Sequence, residues 1–278
     1  MITDSQTNYL YLADTLQINY PNFYSEFEKS LKLNKIDYSL LQNTKDVWAV
    51  DFMPIQISKD KFVRFIYDPI YLQSFEALKL ISDTDAICKS LNINTIKSEI
   101  LLDGGNVVKC VDKVIITERV FKENKNLKRN KLIEELEILF ETDKIFFIPS
   151  QPYDFTGHAD GMVRFVDDNS IIINDFSNES KSFQASFEKA ISNTGLYFEK
   201  IPCVPNWKIR YDSAKGIYIN FLQMENIIFA PIFEIEEDEI SIRKLEEVFK
   251  GSKIVPLNSN EIADDCGILN CISWNILK

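Results

Sequence analysis

The chain has 278 residues, 45% of them hydrophobic and 26% charged, the balance of a folded globular protein and not of a disordered one. Lys and Arg total 31 against 42 Asp and Glu, a net charge of −11, which disfavours a nucleic-acid partner because such binding runs through phosphate neutralisation. The longest apolar run, Ile227–Phe233, has seven residues including a proline, too short for the roughly 20 a membrane span requires, and no basic, apolar leader opens the chain, so the expectation is a cytoplasmic protein with no membrane partner.

In chain order, Tyr9–Leu16 reads as a strand, Asn22–Leu33 as a helix and Ile36–Leu41 as a second strand. A hairpin follows: Asp51–Ile57, a polar turn at Ser58–Lys61, then Phe62–Ile66. Tyr71–Leu91 has helical periodicity, with Leu72, Phe75, Leu78, Leu80 and Ile81 mostly on one face, and Thr95–Leu102 is a short strand.

The same order then recurs. Gly105–Cys110 and Val114–Thr117 form a hairpin, Leu127–Glu141 a helix, and Lys144–Pro149 a strand. Gly161–Val166 and Ser170–Asn174 lead to a helix at Ser182–Asn193 and a strand at Leu196–Pro202. Gly216–Leu222 and Ile227–Pro231 lead to Glu237–Lys250 and Lys253–Leu257, and Gly267–Asn275 begins a fifth unit. The five starts, at 51, 105, 161, 216 and 267, recur at a spacing near 55 residues.

The repeating unit is therefore ββαβ. The fifth copy has only its first strand, and the N-terminal strand, helix and strand supply the remainder. This predicts an α/β fold, a pseudo-fivefold five-bladed propeller over residues 1–278 as a single domain, closed by the N- and C-termini, with first strands around the axis and helices outside. Closure removes exposed sheet edges. A doubly wound α/β sheet is the alternative architecture.

The five cysteines, Cys88, Cys110, Cys203, Cys266 and Cys271, form neither a disulfide framework nor a zinc pattern, and the sole histidine is His158. The starts of the first strands carry Asp51, Asp103, His158 with Asp160, and Cys271. A thiolate is a nucleophile, an imidazole moves protons and carboxylates hold a cation. In an extended chain His158 and Asp160 would face one side.

Trp48-Ala49-Val50-Asp51, Asp103-Gly104-Gly105-Asn106, Thr117-Glu118, Gly157-His158-Ala159-Asp160, Tyr218-Ile219-Asn220-Phe221, Pro231-Ile232-Phe233 and Asn270-Cys271-Ile272-Ser273 stand in an order that resembles the guanidine-modifying superfamily, in its agmatine deiminase and bacterial peptidylarginine deiminase branch. The resemblance covers about residues 45–278 and departs at Val50 and Asn270, where relatives often have arginine and histidine. It implies the same propeller and a deiminase that turns a guanidino group into a ureido group with loss of ammonia, with agmatine use placing it in putrescine biosynthesis. Cys271 would be the nucleophile, His158 general acid and then base, and Asp103 its support. Asp51 and Asp160 would bind the guanidinium, with Trp48 and Asn106 beside it. The implied partner is a small-molecule or peptidyl guanidino substrate, with no metal and no organic cofactor, and a homodimer is the assembly it allows. Amidino transfer to an amine, or a non-catalytic propeller that binds guanidines or arginine peptides, are the alternative functions.

Overall fold

The computed structural model describes residues 1–69, 72–205 and 213–278. Among these residues, fifteen strands fall into five three-stranded sheets. The first is β15 (Ser273–Ile276), β1 (Tyr9–Ala13) and β2 (Tyr38–Leu41); the others are β3 (Ile55–Ser58), β4 (Lys61–Ile66) and β5 (Thr95–Leu101); β6 (Val107–Lys109), β7 (Val114–Thr117) and β8 (Ile145–Ile148); β9 (Val163–Asp167), β10 (Ser170–Asn174) and β11 (Tyr197–Ile201); and β12 (Leu222–Met224), β13 (Ile227–Ile232) and β14 (Lys253–Asn258). In each, the first strand pairs antiparallel with the second and the second parallel with the third. A short turn serves the antiparallel pair in four of these blades, whereas the parallel pair requires a crossover, which the helix provides. This is the five-bladed propeller that the repeat predicts.

The termini close it. Tyr9 pairs with Ile276 and Leu12 with Ser273, so β1 becomes the central strand of a blade whose inner strand comes from the far end of the chain. The central strands are close to continuous apolar runs, such as Val114-Ile115-Ile116 and Ile171-Ile172-Ile173, because both faces are covered. Four helices repeat one buried stripe at four-residue spacing: Phe23, Phe27 and Leu31 in Pro21–Leu33; Leu132, Leu136 and Phe140 in Arg129–Phe140; Phe183, Phe187 and Ile191 in Lys181–Ser192; Ser241 and Leu245 in Glu237–Val248, with Phe249 continuing it. Among the described residues, no helix is long and apolar enough to cross a membrane.

Three expectations change. The helix predicted over Tyr71–Leu91 is a 3-10 turn at Ala77–Leu80 and a separate helix at Thr84–Ser90; Tyr71 lies outside the described residues. The chain restarts at Asp83, whose carboxylate accepts from the Ala86 amide at 3.0 Å as an N-cap, and Phe75, Leu78 and Leu80 are exposed. The first strand ends at Ala13, where a helical turn, Leu16–Asn19, begins. Most consequentially, the glycine and aspartate starts of the inner strands are not extended. Asp51 sits in a helical turn, Ala49–Phe52, and Gly105 in a 3-10 turn, Gly104–Asn106; the strands begin a few residues later.

Candidate active site

The turns that feed the inner strands meet at the centre of the propeller and bond to one another around the ring. The Val50 amide donates to the Cys271 carbonyl at 3.2 Å, the Gly105 amide to Asp51 Oδ1 at 3.0 Å and the Asp160 amide to the Gly105 carbonyl at 3.0 Å. Arg164 Nη1 donates to the Phe221 carbonyl at 3.0 Å, and the Asn270 amide to the Asn220 carbonyl at 3.2 Å. Each contact joins one blade to the next, so residues more than 200 positions apart end in one place.

His158 Nε2 lies 2.9 Å from Asp103 Oδ2, and its Nδ1 faces Asp51 Oδ1 at 3.5 Å. The presentation of His158 and Asp160 does not come from strand alternation. Gly157 has φ +61°, and the amides of Met162 and Val163 both bond to the Ala159 carbonyl, so the motif is a turn that aims both side chains inward. Thr117 Oγ1 holds the Gly157 carbonyl at 2.7 Å, which fixes the entry to that turn.

The Cys271 thiol donates toward Asn220 Oδ1 at 3.4 Å and Asp160 Oδ2 at 3.7 Å. Asp160 Oδ2 also accepts from Asn270 Nδ2 at 2.7 Å. Gly105 makes the convergence sterically possible: a β-carbon there would lie 2.6 Å from Asp51 Oδ1, 2.8 Å from His158 Nδ1 and 3.3 Å from Asp160 Oδ2. Gly267 similarly leaves room for the Trp48 ring, which a β-carbon would meet at 2.0 Å.

Cys271, His158, Asp51, Asp160 and Trp48 therefore line one cavity of about 60 Å³. Asp103 stands behind the imidazole, outside that lining. Asn106, expected beside the substrate, is not in the wall either. It is 1% exposed, and its Oδ1 accepts from the Thr117 amide at 3.0 Å, tying the turn to the neighbouring strand β7. Four lining residues that the sequence did not single out as site residues are Asn220, Asp154, Asp265 and Cys266. Asn220 had a legible signal: a polar side chain inside the apolar stretch Ile217–Leu222 requires a partner when buried.

Three buried carboxylates face one imidazole, and their charges interact strongly. Burial drives Asp51 up to about 8; the His158 cation opposes this, while Asp103 and Asp160 add to it. Burial alone would lower His158, but the Asp51 carboxylate, then the Asp103 hydrogen bond and the other acids, outweigh it and raise the imidazole to about 10. Burial also raises Asp160. Burial, followed by the Asp160 and Asp51 charges, holds the Cys271 thiol well above its ordinary value. One imidazolium does not balance three acids, so the cavity is built for a further cation, and a planar guanidinium offers N–H groups to two carboxylates at once.

The model of the Porphyromonas-type peptidyl-arginine deiminase family matches residues 11–276. A Mycoplasma capricolum protein provisionally named as an agmatine deiminase is 22% identical over 67% of this chain; the match spans 60% of that relative's length. The structure of C. jejuni agmatine deiminase superposes with a TM-score of 0.81 at 18% identity, covering 100% of this chain and 95% of that one. A cysteine-to-serine variant of the C. jejuni enzyme with substrate bound gives a TM-score of 0.78 at 16% identity, covering 100% and 96%.

Proposed function

The chain belongs to the Porphyromonas-type peptidyl-arginine deiminase family, and from that membership and its cavity we propose that it hydrolyses a guanidino group to a ureido group and ammonia, with Cys271 as nucleophile. The observation that carries the reading is the meeting of the Cys271 thiol, the His158 imidazole and the Asp51 and Asp160 carboxylates in one cavity.

The guanidinium enters between Asp51 and Asp160, whose oxygens accept its N–H groups. Its charge expels the proton held by the acid cluster and favours loss of the Cys271 proton to solvent. The sulfur then attacks the central carbon: a C–S bond forms and the C=N electron pair moves to nitrogen. His158, already an imidazolium, gives its proton to the departing amino group, the C–N bond breaks and ammonia leaves. The neutral imidazole next takes a proton from water, whose oxygen attacks the thiouronium carbon. The C–S bond breaks, the thiolate is restored and the ureido product departs. Asp103 keeps the ring oriented through both proton transfers.

The substrate tail is read from the wall. Among the described lining residues, Asp154 and Asp265 add two more carboxylates and no Lys or Arg is present. That lining suits a guanidine with a neutral or cationic tail, of the agmatine kind, better than free arginine, whose carboxylate would meet acids. Ammonia release from agmatine, free arginine and arginine peptides tests the reading. Agmatine is expected to be turned over fastest and the Cys271→Ala chain to release none; activity retained in that variant would overturn it.

A further inference from the structure

Arg164, on β9, points away from the catalytic cavity and is 3% exposed. Both terminal nitrogens of its guanidinium are engaged. Nη1 donates to Asn270 Oδ1 at 2.8 Å as well as to the Phe221 carbonyl, Nη2 donates to Asp4 Oδ2 at 2.6 Å, and the group lies 4.6 Å from the centre of the Phe221 ring. Asn270 is thus held at both ends of its amide: the oxygen accepts from Arg164 and the nitrogen donates to Asp160. The N-terminal segment anchors the far side, where Lys109 Nζ donates to the Ile2 carbonyl at 2.5 Å next to Asp4.

An asparagine amide has two faces of opposite polarity. Flipped, Asn270 would aim its oxygen at the Asp160 carboxylate, leave that buried oxygen without its 2.7 Å donor and repel it. The Arg164 cation, which can only donate, allows one orientation alone. We propose that Arg164 is a positioning residue for substrate capture: braced by Asp4, it locks the Asn270 amide so that Asp160 is held ready for the guanidinium. The functional consequence rests on the deiminase reading; the locking itself does not.

Burial pushes the Asp160 carboxyl up; the facing His158 cation, then the Asn270 hydrogen bond, the Arg164 charge and the Asn220 hydrogen bond oppose it, with the Cys271 thiol alongside. Loss of Arg164 therefore favours protonated Asp160, which grips a cation poorly.

The test combines kinetics with a readout that needs no turnover. Arg164→Gln is expected to raise KM for agmatine by about tenfold or more, with kcat much less affected, and to move the acid limb of the kcat/KM profile to higher pH. Arg164→Lys, which keeps the charge, is expected to restore the position of that limb. In the Asn270→Ala background, Arg164→Gln is expected to add little further loss. Asp4→Ala, remote from the cavity, is expected to shift KM in the same direction. It also serves if Arg164→Gln fails to fold. Lowered thermal stability with unchanged KM and pH profile, or full additivity with Asn270→Ala, would overturn the proposal. Side-chain amide NMR reads the lock directly: the Asn270 pair is expected to be protected from solvent exchange in the parent chain and unprotected in Arg164→Gln. Equal protection in both would overturn the lock even if the parent proved inactive on every guanidine, whereas inactivity with the protection difference intact would count against the deiminase reading alone.

Discussion

His158 Nε2 is bound to Asp103 at 2.9 Å while its other nitrogen faces Asp51 at 3.5 Å, so the ring is clamped on one edge and free to exchange a proton on the other. The shorter contact is a hydrogen bond; the longer one is an electrostatic approach that leaves Nδ1 available. Asp103→Asn keeps the size of the clamp and removes its charge. The expected result is a fall in kcat of about 100-fold, with the basic limb of the pH profile shifted to lower pH, because the carboxylate helps to hold the imidazolium proton. A kcat–pH series on both chains measures this.

The cavity predicts its own pH dependence. Asp51 is raised to about 8, so below that pH a proton occupies the charge that a guanidinium has to displace. Substrate capture should therefore strengthen as pH rises toward 8, by up to about tenfold per unit, and activity should fall again near 10 as His158 loses its proton. Calorimetry of agmatine binding to Cys271→Ser in two buffers of different ionisation enthalpy should detect proton release below pH 8.

Covalent chemistry at Cys271 has a direct signature. A haloacetamidine probe is expected to add one adduct per chain at Cys271 and none in Cys271→Ser, with guanidine affinity little changed in the variant. Labelling at Cys266, the other thiol lining the cavity, in place of Cys271 would assign the nucleophile elsewhere.

Gly105→Ala tests the steric basis of the site. Its new methyl would fall within 2.8 Å of both Asp51 and His158, forcing the two groups apart. An ångström of displacement in a reacting constellation costs about 100-fold, so kcat/KM is expected to drop at least that much, with circular dichroism unchanged.

Asp46 offers a stability prediction outside the catalytic set. It is 8% exposed, its Oδ1 has no hydrogen-bond partner, Tyr67 approaches Oδ2 at 3.5 Å, and burial raises it to about 7. A carboxyl whose folded pKa exceeds its unfolded value binds more protons when folded, so its contribution to stability declines as pH climbs from about 4 through 7. Asp46→Asn is expected to be stabilising by about 1–3 kcal/mol at pH 8.5 and near neutral at pH 5, as read by thermal denaturation.

Much of the architecture was legible because it repeats. Hairpin spacing and the four-residue stripes of Phe27, Leu136 and Phe187 are local patterns that each blade states again. The ordered motifs also marked Cys271, His158, Asp51, Asp160 and Trp48, which share the cavity. The backbone around them was less legible: Asp51 and His158 lie in tight turns, so alternation along an extended strand was the wrong geometry. Asn106 was misread because a buried amide that braces Thr117 has the same sequence appearance as one that touches a ligand. Arg164 was silent for a different reason. Its partners Asp4, Phe221 and Asn270 are 57 to 160 positions away, and no window of sequence contains them.

The pairing of β1 with β15 carries a cost during folding, because it joins segments more than 250 residues apart. Tyr9–Ala13 is uncovered on that flank until Ser273–Ile276 docks, so a partly folded chain that has not closed the ring presents a sticky apolar ribbon. Cys271 stands two residues before the strand that seals the ring, so its thiol reaches the central cavity in the same closing step.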